Sequence, residues 1–372
     1  MAFAIGLPLQ AQEATNVAAP QAWNWHVQNT DIVQGDPGFH APYSGPNSLR
    51  SDGEIQESVS LDLYVGTRLW RGAEAYGDGL LWQGFGLSKT LGVEGFPNGE
   101  AFRVGTDIPN VNCARLFLRQ TFGLGGEQET LEDGPLQLAG KQDVSRLTLT
   151  VGRFSAKDIF DSNAYANDAR TQFLNWGLMA NEAWDYPADS LGFTTGLAAE
   201  LNQPNWALRY GFFQVPHTAN GLAQDPHYLE AWGMVVEVER RFAFREHPGA
   251  VRLLSYLNRA HMGSFQEALN TPVRPADVEP TREYRYKYGF GLNIEQEVVT
   301  NLGAFLRLGW NDGQSESWMF ADVDRTLSLG LSLSGAKWSR PQDTVAVAGL
   351  LNGISREHRD FFAAGGTGIL AG

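Results

Sequence analysis

The chain has 372 residues, 43% of them hydrophobic, with 42 Gly, 11 Trp, 11 Tyr and 21 Phe. No run of 18 or more consecutive apolar residues occurs, which excludes a bundle of membrane-spanning helices but leaves open a barrel, whose strands turn only alternate residues to lipid. The formal charge of -14 argues against a nucleic-acid partner, and a single cysteine, Cys113, allows neither an intrachain disulfide nor a two-cysteine metal site.

The N-terminus, Met1 to Ala14, has a short apolar stretch at Phe3–Leu9 and a small residue at Ala11. This resembles the end of a secretory signal peptide without its positive n-region. Residues 1–20 are therefore read as a partial signal peptide or tail, and 21–372 as a single β-domain.

About thirteen strand-like segments follow by alternation and turn punctuation. They lie near 23–34, 56–70, 73–83, 111–122, 144–154, 191–202, 205–215, 229–242, 249–261, 283–299, 301–311, 324–337 and 343–352. The segment 284–295 is the most explicit. Tyr284, Tyr286, Tyr288, Phe290, Leu292 and Ile294 share one parity, while Arg285, Lys287, Gly289, Gly291, Asn293 and Glu295 share the other. Successive side chains of a strand point to opposite faces, so this element carries one apolar face and one charged, gapped face. Its length matches the roughly 9–11 residues that cross a bilayer as tilted β.

The connections carry the architecture. Short links at Arg71–Gly72, Asn202–Asn205, Arg245–Pro248, Thr300 and Trp338–Gln342 alternate with long polar segments near 35–55, 84–110, 155–190, 216–228, 262–282, 312–323 and 353–372. A meander with tight turns at one rim and long loops at the other produces that rhythm, whereas a Greek-key sandwich does not. Gly123–Asp143 breaks it, a long link where a short one belongs. The fold expected is an all-β transmembrane antiparallel up-and-down β-barrel. The longest loop, 155–190, has a helix-like stretch at Asn167–Asn181 and is expected to fold inward and narrow the lumen.

With the apolar parity toward lipid, the pore-lining and substrate-binding candidates are Arg68, Arg115, Arg119, Arg146, Arg209, Arg285, Lys287, Arg307, Glu200, Glu237, Glu239, Glu295, Asp62, Trp70 and Trp82, with Tyr64 on the same parity. Guanidinium and carboxylate groups are good partners for sugar hydroxyls, and aromatic faces stack on pyranose rings. The same residues would equally serve to hydrate a water-filled wall. Catalytic signals are sparse, with no G-x-S-x-G elbow and no phosphate-binding loop. Asp158, Asp161 and Asp168 share one loop and leave open a glycosidase or a bound cation.

Several longer stretches resemble one family. WNWHVQNT at 23–30, LWQGFGLSKTLGVEGFPNGEAF at 81–102, VGRFSAKDIFDSNAYAND at 151–168, FLNW at 173–176, WDYPADSLGF at 184–193, NWALRYGFF at 205–213, GWNDG at 309–313 and LNGIS at 351–355 are similar to the carbohydrate-selective porins (OprB family) of Gram-negative outer membranes. The resemblance spans nearly the whole chain after the tail. It implies a sixteen-stranded barrel passing mono- or oligosaccharides by facilitated diffusion, with a polar, arginine-bearing constriction and no cofactor. It also implies outer-membrane lipid as a partner, with homo-oligomer and monomer both open. Further strands follow the LNGIS region in that family, so about three closing strands are expected to be missing here, and a barrel with unpaired edges is expected to insert poorly. Two alternatives stand beside this reading: a polysaccharide-acting enzyme using the loop carboxylates, and a soluble sugar-binding β-sandwich.

Overall fold

The computed structural model describes residues 20–91, 98–101, 105–320 and 322–372. The tail read as a signal remnant, and part of the 81–102 motif, lie outside them. In chain order the strands are β1 (Trp23–Asp36), β2 (Glu54–Trp70), β3 (Ala73–Gly84), β4 (Thr106–Gly123), β5 (Gln128–Leu131), β6 (Gly140–Asp143), β7 (Arg146–Phe154), β8 (Thr194–Gln203), β9 (Trp206–Phe213), β10 (Trp232–Phe244), β11 (His247–Met262), β12 (Glu283–Val299), β13 (Leu302–Asn311), β14 (Arg325–Ser334) and β15 (Thr344–Gly353). All but β5 and β6 form one 13-stranded antiparallel sheet in which every strand pairs with its neighbour along the chain. β1 and β15 have one neighbour each and form its edges. The segments read from alternation coincide with these wall strands.

The turns explain why the meander is tight at one rim. Arg245 and Glu246 (φ 51° and 70°) and Asn301 (φ 70°) take the left-handed conformation that two-residue hairpins require. Two expectations needed correction. The 324–337 segment ends as a strand at Ser334, because Gly335–Trp338 closes into a 3₁₀ turn. The helix-like stretch 167–181 holds helix only at Trp176–Met179. Side chains fold the entry to this stretch into turns instead: Asn163 Oδ1 accepts from Tyr165 N and Ala166 N, and Gln172 Oε1 accepts from Asn167 N and Asp168 N.

The β12 stripe faces outward as parity predicts, with Tyr286, Tyr288 and Phe290 exposed and Phe290 stacked on Trp310 at 6.1 Å between ring centres. Exposed aromatics gather at both rims, with Tyr210, Tyr286, Tyr288 and Trp310 toward the long loops and Trp23, Trp25, Trp70, Trp206 and Phe244 toward the turns. Girdles of this kind flank the lipid-facing band of outer-membrane barrels.

The glycines on the other parity make room for what fills the interior. A Cβ on Gly289 would stand 2.5 Å from the Tyr256 ring, and one on Gly291 would stand 2.5 Å from the Asn181 amide. The interior is packed by the loop following β7. Phe160, Trp176, Trp184 and Tyr186 join Phe154, Phe213, Trp318 and Phe320 in one buried cluster. Each large apolar side chain taken from water in this way contributes roughly 1.5–3 kcal/mol. The inward placement of loop 155–190 is what the structure contains.

Candidate functional site

The inward loop is pinned to the wall by buried polar contacts. Asp161 Oδ1 accepts from Arg307 Nε at 3.0 Å and from Asn293 Nδ2 at 2.7 Å, and Lys157 lies 3.2 Å from its other carboxylate oxygen. Burial alone would raise the Asp161 carboxyl, but Arg307 and then Lys157 hold it down at about 2. Asn163 Nδ2 donates to Asn293, Ala164 N to Glu295, Tyr256 Oη to Ala183 O and Asn258 Nδ2 to Asp185 O. These anchors on β11, β12 and β13 commit that half of the wall to holding the loop.

The open space lies against the other half. A cavity of about 890 Å³ at the turn rim is lined by Arg68, Glu74, Arg146, Glu200 and Arg209. A second, of about 600 Å³ and nearer the long loops, is lined by Asp62, Glu100, Arg115, Asp168, Arg170 and Phe193. Arg119, Gln137 and Asp158 line both cavities.

Charges of both signs interleave around this passage. Arg115 donates to both oxygens of Asp158 at 2.8 Å and to Asp78 at 2.7 Å, with its guanidinium 4.9 Å from the centre of the Phe193 ring. Arg170, from the inward loop, bridges Asp62 at 2.8 Å and Glu100 at 2.9 Å. Arg209 reaches Glu200, Glu237 and Glu239, and Arg252 continues the ladder from Glu239 to Glu295. Arg119 differs. Its guanidinium donates to Leu136 O at 3.0 Å and covers the Tyr76 and Phe117 rings at 5.1 and 5.3 Å, and among the described residues it makes no ion pair.

Of the residues predicted to line the pore, Arg68, Arg115, Arg119, Arg146, Arg209, Glu200 and Asp62 stand on the cavity walls. Lys287, Arg307, Glu237, Glu239 and Glu295 face inward on the expected parity but line neither cavity: Arg307, Glu237 and Glu295 bond the inward loop, Lys287 is covered by Ser315–Ser317, and Glu239 is taken up by Arg209, Arg241 and Arg252. Arg285 pairs with Glu267 and Glu283 at the long-loop end. Trp82 is buried with Leu80, Ala114, Leu191 and Phe193. Trp70, beyond a register shift after Arg68, is exposed at the turn rim and bonded to Gln120. Strand parity sorts residues by face, and only the folded loop decides which inward residues meet the passage.

Sequence reasoning overlooked Asp78, which shares a parity with Trp82, and Arg252, which stands opposite Glu239 in the register of β10 and β11. It also overlooked Arg170 and Gln137, which come from connections and carry no strand signal. The three loop carboxylates are engaged separately rather than as a set. Asp158 binds Arg115 and caps Ser155 N, Asp161 binds Arg307 and Lys157, and Asp168 accepts from Arg170 N and Thr171 Oγ1.

Residues 46–370 match the sequence profile described as "Carbohydrate-selective porin, OprB family". This chain belongs to the OprB family of carbohydrate-selective porins. OprB of Pseudomonas putida shares its fold, with a TM-score of 0.68 at 16% identity over 92% of this chain and 78% of that one. OccK8 (OprE) of Pseudomonas aeruginosa gives 0.41 at 10% identity over 89% and 83%, and OmpF of Salmonella typhi gives 0.34 at 8% over 90% and 96%. No curated protein matches the sequence. As an OprB porin the chain is a wall for the diffusion of carbohydrates across the outer membrane, and its fold and family are those of a channel. No helix among the described residues is long and apolar enough to cross a membrane.

Proposed function

We propose that sugars cross the outer membrane of a Gram-negative bacterium through the two connected cavities. The junction at Arg119, Asp158 and Gln137 acts as the selective step. The observation that carries this reading is that all three line both cavities. A sugar passing there meets the donors of Arg119, the acceptors of Asp158 and, on the loop side, Phe193, a chemistry suited to hydroxyl-rich, uncharged rings. The interleaved charges keep the wall hydrated without a large net field, and several weak sites in series let a solute enter and leave. Transport is passive in this reading, with no covalent step, cofactor or nucleotide. Arg68, Arg146, Arg209 and Glu200 form the turn-side vestibule, and Asp62, Arg115 and Arg170 the loop-side one.

Single-channel conductance in planar bilayers, with a panel of mono- and disaccharides added as blockers, tests this. Block by neutral sugars that weakens in Arg119→Ala is the expected result. Conductance that no sugar blocks would make the pore a general diffusion channel instead.

A further inference from the structure

The other short-rim connections are two-residue turns or, between β14 and β15, a short loop with one 3₁₀ turn, but β4 and β7 are joined through the hairpin of β5 and β6, and this hairpin does not hang into solvent. Its tip turns inward and is fastened to β1, β3 and β4. On the β1 side, Asn24, itself nearly buried, donates from one Nδ2 to Asp133 Oδ1 at 2.8 Å, to Gly134 O at 3.1 Å and to Gln137 O at 2.9 Å. Leu138 is buried in the interior aromatic cluster, and its N–H donates to Tyr76 Oη at 3.2 Å. At the hairpin's own root, Arg146 donates to Glu129 at 2.8 Å. Gly125 and Gly126, with φ of 83° and 96° and open space around both, form the base from which the hairpin swings inward.

The hairpin is also a wall of the passage. Pro135 and Leu136 line the loop-side cavity, Glu129 and Leu131 the turn-side one, and Gln137 both. Its Leu136 carbonyl is what holds the guanidinium of Arg119.

We infer that the hairpin 127–143 is a strap latched by Asn24 across the turn-side mouth, and that it sets the size limit for sugars leaving the pore. This rests on the reading of the two cavities as the sugar path. The physical reason is simple. The inward loop closes one side of the lumen, so the free cross-section is bounded on the turn side by this strap, and solute passage falls steeply as a pore narrows toward the solute's own width. Asn24 holds the tip at three acceptors, beside Gln21, which donates from its N–H to Ala139 O and accepts from Ala139 N, so loss of Asn24 loosens the strap without removing any group from the passage wall.

The experiment compares the parent protein with two variants, Asn24→Leu and a replacement of residues 127–143 by a Gly-Asn turn. It measures single-channel conductance and the largest uncharged polyethylene glycol that enters the pore. Heat-modifiable mobility on unboiled gels checks that each variant is folded. The turn replacement is expected to raise conductance about twofold or more and to admit larger polymers, and Asn24→Leu to produce brief openings toward that higher level. If the replacement does not fold, the openings of Asn24→Leu decide. Conductance and polymer cut-off identical to the parent in the folded variants would overturn the strap. A parent that conducts no ions would instead sink the reading of the cavities as a pore, and this inference with it.

Discussion

Asp161 and Arg307 meet at 3.0 Å with both side chains withdrawn from solvent, joining the longest loop to β13 across 146 residues of sequence. An ion pair so enclosed is safe only while it is whole. Removing one partner leaves the other charged, buried and unmatched.

Asp161→Asn should therefore cost about 3–5 kcal/mol, the usual penalty for breaking a buried pair. The loss should appear as a lower melting temperature and as higher, noisier conductance, since the loop that narrows the lumen loses its main anchor. The conservative Asp161→Glu should recover part of both.

The same pair sets an acid limit. The folded carboxyl titrates near 2, below its ordinary value of 3.8, so its contribution is present above that ordinary value and is lost as pH falls through the folded one. The loop should stay anchored down to about pH 4 and loosen only between roughly 4 and 2. Conductance recorded across that window checks the sign; loosening between pH 7 and 5 would contradict it.

Glu182 behaves in the opposite sense. Burial pushes its carboxyl up to about 7, opposed only by the hydrogen bond from Asn352 on β15. A raised carboxyl contributes fully below its unfolded value near 4.5 and progressively less as pH rises through the folded value of about 7. Glu182→Gln should flatten this dependence and raise the melting temperature above pH 7, while changing little at pH 4.5. A variant whose melting curve tracks the parent at every pH would show that Glu182 ionises without cost.

Arg119 carries the prediction for transport. Its guanidinium makes no ion pair among the described residues and the residue lines both cavities, so Arg119→Ala should weaken sugar block about tenfold, the scale of one charge-assisted hydrogen bond. Ion selectivity, read from the reversal potential in a salt gradient, should move toward cations. Loss of block without a selectivity shift would place the sugar contact elsewhere.

Leu329 sits mid-strand on β14, exposed and paired with Leu306 of β13. Leu329→Arg should cost about 2–4 kcal/mol of stability in lipid if this face meets the hydrocarbon, and Leu329→Phe almost nothing. Unfolding in liposomes gives both values.

The wall was readable because a period of two is written locally. Tyr286, Tyr288 and Phe290 announce their face without reference to any other strand, and the turns announce themselves through Gly72, Arg245–Glu246 and Asn301. Gly123–Asp143 stood out as an exception to the rhythm, and the structure makes it a hairpin. What lay beyond reach was which inward residue meets which. Arg170 finds Asp62 at a separation of 108 residues, Arg307 vanishes beneath the inward loop and Lys287 beneath Ser315–Ser317, and no local pattern encodes either path. Trp70 went astray for a different reason, since the register shift beside it ends the parity count before the strand itself ends.

The loop packs against β11, β12 and β13, so the passage runs off-axis, along β2, β3, β4, β7, β8 and β9. The chain thereby divides its labour along its length. If sugars take this route, residues before about 215 supply most of the filter, with Arg241 and Phe320 the exceptions, and those after it serve chiefly as a buttress. Natural variation that retunes the preferred sugar should accordingly accumulate in the N-terminal half, while the C-terminal half drifts only as far as the loop's footing allows.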